Sequence, residues 1–212
     1  MHWMVAVAVS SAADLIDADL SWTCVNDTVM GGISQSAARL QDGALSFAGE
    51  LSLEQNGGFT SVRSQPTDLN LAGVTGFRLR VVGDGRTYSF TARRSDVPIR
   101  GGSYRVPIET VAGEEVVVEV GLDAFAATAF GRPIAGAPAL SLSPERIDSV
   151  GFLLADKQPG MFALEVRAIE PITGPIESAA AAVPDRAGVV TTFGRAIERG
   201  VPVFCLLYTS DA

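Results

Sequence analysis

The sequence predicts an all-β domain in which two antiparallel sheets stack face to face. Three observations carry that expectation. From about Asp14 to Glu170, short segments alternate apolar and polar residues, the period of strands with one buried face. Gly, Pro, Asn and Asp separate these segments, in a chain that holds 22 Gly and 11 Pro. At 212 residues and 47% hydrophobic, the chain has enough apolar material for a large core without disulfide staples.

Residues 1–13 read as a leader or weak signal-like segment: Met4 to Val9 is apolar and small residues follow, but no Lys or Arg precedes it. A cytoplasmic protein is therefore expected, with export as the alternative. Within the 14–170 sandwich domain, strands are expected over 44–53, 58–64, 77–93 as a hairpin, 103–110, 114–122, 148–155 and 161–169. In the hairpin, Asp84-Gly85 supplies the two-residue loop, which sets Val81 opposite Tyr88 and Leu79 opposite Phe90. In the last strand Phe162, Leu164, Val166 and Ala168 point inward, and Glu165 and Arg167 point to water. Segments 123–130 and 144–147 read as short helical turns or loops.

After Glu170 the strand period stops. Residues 171–187 read as a linker rich in Pro, Gly and small residues. Over 188–204, Val189, Phe193 and Ile197 recur every four residues before Gly200 and Pro202, the pattern of one short amphipathic helix, which reads as either a single docked helix or the start of a truncated helical domain. The terminal "CLLYTSDA", 205–212, differs in composition from what precedes it and reads as a non-native tail.

Charge narrows the function. A formal net charge of −8 argues against a nucleic-acid partner, which needs a basic footprint on phosphates. No apolar run reaches the roughly 18 to 20 residues that span a bilayer, so the chain is not expected to be integral to a membrane. The single histidine is His2, in the leader, so neither a Ser-His-Asp relay nor a histidine metal site can form in the core. "GDGRTY" lacks the ending of a phosphate-binding loop. Asp27, Asp84 and Asp156 are the carboxylates a glycoside hydrolase would need, but no spacing selects a pair. No enzyme, catalytic residue, metal or cofactor is expected.

Three polar clusters remain. In "VNDTVMGG", Asn26 and Asp27 suit an Asx turn and Gly31-Gly32 suits unusual backbone angles; the same residues could equally face a ligand. "QNGGF", with Asn56, Gly57 and Gly58, carries a hairpin signal, and "ADKQPG", with Asp156, Lys157 and Gln158, reads as a charged turn. Asn26, Asp27, Arg63, Asp84, Asp156, Lys157 and Gln158 are the rim candidates for a ligand or partner. Trp22, Met30, Gly31, Gly32, Asn56, Gly57 and Gly58 are expected to be structural. Arg63 is the expected cation for Asp27 or Asp156.

Taken in order, five motifs resemble the complex I intermediate-associated protein family: W-x2-VND-x-VMGG-x-S at 22–34, F-x-G at 47–49, SLE-x-NGGF-x-SVR at 52–63, GDGR-x-Y at 83–88 and GFLLADKQPGMFALEV at 151–166. The resemblance spans about residues 14–170. Ile108, Glu115-Val116 and "VGL" at 120–122 depart from the family pattern. The resemblance implies a galactose-binding-domain-like jelly-roll β-sandwich, as in mitochondrial complex I assembly factors and many bacterial proteins. It also implies a non-catalytic protein-interaction or assembly-factor-like module with a protein partner. The alternative is a carbohydrate or small-ligand binding module, for which Trp22, Phe59, Tyr88 and Tyr104 would be the aromatic platforms.

Overall fold

A computed structural model of the protein describes residues 14–18, 20–94, 96, 102–130, 132–134 and 142–176. The leader, the 188–204 helix and the 205–212 tail lie outside the described residues, as does the linker beyond residue 176. The chain divides into Met1–Ala180 and Ala181–Ala212, and all described residues belong to the first unit. No helix among them is long and apolar enough to cross a membrane.

The alternating segments become β1 (Trp22–Asn26), β2 (Gln35–Gln41), β3 (Ala44–Leu51), β4 (Thr60–Ser64), β5 (Gly76–Val82) and β6 (Thr87–Arg93). They continue as β7 (Gly102–Glu109), β8 (Glu115–Gly121), β9 (Ala126–Ala129), β10 (Arg132–Pro133), β11 (Ser149–Leu154) and β12 (Gly160–Ile172). One sheet has the order β1-β4-β11-β6-β7-β9-β10 and the other β2-β3-β12-β5-β8, with every pairing antiparallel. The expected two-sheet sandwich is therefore the observed one. Segment 123–130 is part 3-10 turn and part strand, and Pro144–Arg146 is a 3-10 turn.

The core lies where the inward faces meet. Phe162, Leu164, Val166 and Ala168 are all buried, and a bulge between Val166 and Ala168 turns Ile169 inward as well. Phe77 of the five-stranded sheet meets Phe90 of the seven-stranded sheet edge to face at 5.3 Å, and Phe90 also meets Phe152 and Phe125. Such pairs add to what the buried area contributes.

Two expected hairpins are corrected. β5 and β6 lie in different sheets: Val81 pairs with Val166 and Val116, and Tyr88 pairs with Leu154 and Ile108. "GDGR" is thus a corner between sheets. "QNGGF" is another, between β3 and β4, and contains the 3-10 turn Glu54–Asn56. The two-residue D-G hairpin stands instead at Asp42-Gly43, where φ is +53° and +73° and Gln41 faces Ala44.

Register brings the motifs together. Asn26, Leu154 and Tyr88 lie at one end of the seven-stranded sheet, because Asn26 and Leu154 both pair with Thr60 and Leu154 pairs with Tyr88. Gln35 pairs with Glu50, and Gly160 with Leu51, at the corresponding end of the other sheet. Connections 27–34, 52–59, 83–86, 110–114 and 155–159 each pass between sheets at this end and form one rim.

Candidate functional site at the motif rim

The first cluster on this rim is built around a fully buried carboxylate. Asp27 begins a 3-10 turn, Asp27–Met30, that leaves β1 at Asn26. Its Oδ1 accepts from the Ser34 amide at 3.0 Å, and its Oδ2 accepts from the Ser34 hydroxyl at 2.5 Å and the amides of Gly58 at 2.7 Å and Phe59 at 3.3 Å. The Asp27 amide in turn donates to the Phe59 carbonyl at 3.1 Å. Burial alone would raise the Asp27 pKa, but the hydroxyl of Ser34 and these amides outweigh it and hold the carboxyl below the ordinary range. Asp27 stays ionised without a cation, and it ties loop 27–34 to loop 52–59.

The two glycines of "VMGG" serve different needs. Gly31 has φ +92°, closes the turn through its amide, and has open space where a Cβ would be. Gly32 is needed for room: a Cβ there would stand 2.5 Å from Cγ of Asp27. Gly57 is similar, since a Cβ would come 2.8 Å from Asp27 Oδ2. Gly32→Ala should therefore destabilise the protein by about 1–3 kcal/mol through overpacking. Gly31→Asn should cost much less, because asparagine tolerates the left-handed region. Denaturant unfolding of both variants checks this, and equal losses would contradict it.

Asn26 makes a second cross-sheet tie. Its carboxamide oxygen lies 2.6 Å from both the Ser36 and Thr60 hydroxyls, which are themselves 2.7 Å apart. Ser36 is on β2 and Thr60 on β4, so the triangle bridges the sheets.

The third cluster joins "GDGR" to "ADKQPG". Arg86 Nε and Nη2 donate to Asp156 Oδ2 and Oδ1 at 2.9 and 2.7 Å, with side chains only 10% and 7% exposed. The same guanidinium donates to the Gln158, Gly160 and Met161 carbonyls. Burial would raise the Asp156 pKa, but Arg86 and the Gln158 amide lower it overall. Asp84 accepts from the Tyr88 hydroxyl at 3.1 Å and the Ala163 amide at 2.9 Å, linking the corner to β12. Burial first, and then the Asp84 charge, push the Tyr88 hydroxyl pKa up.

The rim thus brings together Asn26, Asp27, Asp84, Asp156, Lys157 and Gln158, but the carboxylates are directed into one another's loops. Lys157 and Gln158 are exposed, and Lys157 takes φ +62° in the turn. Arg63 is not among them. It sits within β4, opposite Thr23 and Gly151, so the expected pairing with Asp27 or Asp156 is corrected: Ser34 and backbone amides serve Asp27, and Arg86 serves Asp156. Arg86 and Ser34 lie within the quoted motifs, but nothing in their spacing connects them to carboxylates in other loops. Tyr88 and Tyr104 are core residues, and Trp22 packs against the core.

Beside the exposed Lys157 and Gln158, four large apolar side chains project from the rim. Val29, Met30, Ile33 and Leu53 are 70%, 54%, 42% and 42% exposed, on the two loops that Asp27 joins. Met30 therefore belongs to the displayed surface, although its neighbours are structural. Among the described residues no group of three or more His, Cys, Asp or Glu could hold a metal ion.

Residues 13–166 match the family model described as Complex I intermediate-associated protein 30 (CIA30). No curated protein matches the chain in sequence. Among solved structures, one that is similar is the family 11 carbohydrate-binding module of cellulosomal cellulase Lic26A-Cel5E of Clostridium thermocellum, at 14% identity over 79% of this chain and 96% of that one, with a TM-score of 0.59. The family 11 module from Clostridium thermocellum in complex with a β-1,3-1,4-mixed-linked tetrasaccharide is similar at 13% identity over 77% and 95%, TM-score 0.55. PfGH50B is similar at 11% identity over 87% of this chain but 28% of its own length, TM-score 0.52. At these identities the likeness is one of fold.

Proposed function

The chain belongs to the CIA30 family, and from that premise we propose that it is a non-catalytic protein-interaction module that acts as an assembly factor on intermediates of respiratory complex I. One observation carries this reading: the motif carboxylates on the rim are occupied in holding loops, while Val29, Met30, Ile33 and Leu53 are held outward on the loops so fixed. Exposed apolar side chains on a rigid edge suit a protein surface, because they lose little entropy on docking. The carbohydrate alternative draws on the fold likeness, but Tyr88 and Tyr104 are buried in the core and offer no ring to a sugar.

Affinity purification of the tagged full chain from its native host tests the proposal. Complex I subunits should be recovered with the wild type. Their recovery should fall about tenfold with Val29→Ser combined with Met30→Ser, by loss of buried apolar contact, while the thermal midpoint stays within a few degrees. Recovery of the bait alone from wild-type cells would overturn the assignment.

A further inference from the structure

We propose that the outer face of the seven-stranded sheet is a second binding surface, at which Arg63 and Arg93 receive the carboxylates of an acidic segment of a protein partner. The placement follows from register. Arg63 lies opposite Gly151, Gly151 opposite Thr91, and Thr91 opposite Arg105, so these four share a face. Ser149, two residues from Gly151, lies opposite Arg93 on that same face. The neighbours Val62, Ala92 and Val150 point the other way, into the core. Arg63 and Arg93 therefore stand on either side of β11, with only Gly151 and Ser149 between them.

The charges on this face differ from those on the other sheet. There, Arg78 meets Glu119 at 2.7 Å, Arg80 meets Glu115 at 3.3 Å, and Arg167 meets Glu115 and Glu165 at 2.8 and 2.7 Å. Each of those cations has its carboxylate. Arg63, half-buried, has no ion pair or hydrogen bond among the described residues, and Arg93 Nε is buried without an acceptor. Asp148 favours the charge on Arg93, but Asp148 is itself engaged, as is Arg105. Burial, and then repulsion from Arg93, push Arg63 down to about 10, which leaves it charged at neutral pH.

Two part-buried, mutually repelling guanidiniums are unfavourable until an oxyanion lies between them. A carboxylate accepts the forked donors of one arginine in a parallel pair and offsets its charge, so two carboxylates of an acidic segment match Arg63 and Arg93. The occupant is a short acidic peptide. The chain carries a net charge of −8, which repels a long polyanion such as a nucleic acid but tolerates a few carboxylates at a local cationic site. Thr91 and Ser149 are themselves buried, 5% and 2% exposed, so an acidic segment meets the half-buried guanidiniums and not the strands between them, which carry no aromatic platform for a neutral sugar.

The proposal goes beyond rim docking and does not depend on it. Fluorescence anisotropy of a labelled peptide of about ten glutamates, titrated with the full chain at low salt, should show saturable binding that weakens as salt is added. Arg63→Gln and Arg93→Gln should each weaken binding about tenfold, whereas Arg78→Gln on the other sheet should change it less than about twofold. Arg63→Gln should remain folded by circular dichroism, which keeps loss of binding separate from loss of fold. The variant carrying Val29→Ser and Met30→Ser should bind the peptide like the wild type, so failure of rim docking and failure of this surface read out separately. Absence of peptide binding up to about millimolar, equal weakening by Arg78→Gln, or binding of an oligoglucuronate in place of the peptide would each overturn the proposal.

Discussion

Asp27→Ala is expected to cost about 3–5 kcal/mol of folding stability, because it strands three backbone amides that donate to this carboxylate and leaves the Ser34 hydroxyl only the Ser52 carbonyl at 3.2 Å. The amides of Ser34, Gly58 and Phe59 and the hydroxyl of Ser34 all converge on that one buried side chain. Against a domain stability of about 5–15 kcal/mol, such a loss is a large fraction of the total. Asp27→Asn should cost less, about 2–3 kcal/mol, since its carboxamide oxygen still accepts at one of the two oxygen positions although its NH2 group faces donors at the other. The pH dependence has a definite sign. The folded pKa of Asp27 lies below its ordinary value of 3.8, so the carboxylate's contribution is complete above that value and is lost as pH falls through the lower folded pKa. Wild-type stability should therefore fall more steeply than that of Asp27→Asn below about pH 4. Urea unfolding at pH 7 and pH 3 measures both effects, and parallel pH profiles for the two proteins would refute the role given to this carboxylate.

Sequence legibility follows the range of the physics involved. The period of two in "MFALEVRAI" is local, so the inward residues of β12 can be read directly from the chain. Which sheet a strand joins is a non-local matter. Positive φ is required both in a two-residue hairpin and in a tight corner between sheets, so Asp84-Gly85 carries the same signal as Asp42-Gly43 while doing a different job. β2, "QSAARLQ", has a weak apolar face because it is an edge strand, and its alternation is correspondingly faint. At the rim, the motifs mark Asp27 and Asp156 as special residues but do not identify their partners. Arg86 reaches Asp156 across 70 residues of chain, and Ser34 supplies to Asp27 what a cation was expected to supply. Arg63 is set apart only once register shows that no carboxylate lies opposite it.

Arg86→Ala should be about as damaging as the loss of Asp27, at about 3–5 kcal/mol, because it leaves Asp156 buried without its countercharge. The effect has two parts that variants can separate. Arg86 holds Asp156 through two parallel hydrogen bonds and also donates to the carbonyls of Gln158, Gly160 and Met161, so one side chain fixes the turn that feeds β12. Arg86→Lys keeps the charge but cannot reproduce the fork, and it should recover less than half of the loss. Asp156→Asn keeps the shape and removes the countercharge, so in that variant Arg86 becomes the uncompensated member. Arg86→Met combined with Asp156→Leu removes both charges and should be more stable than either single variant, since burial of an ion pair is opposed by the desolvation of both partners. A double-mutant cycle by chemical denaturation reads the coupling, expected at about 2 kcal/mol or more for a contacting pair. Coupling near zero would mean that the carbonyl contacts, not the ion pair, secure the turn. The pair should also weaken in acid: the Asp156 pKa is lowered in the folded protein, so its contribution is intact above about 3.8 and disappears as pH falls below that value.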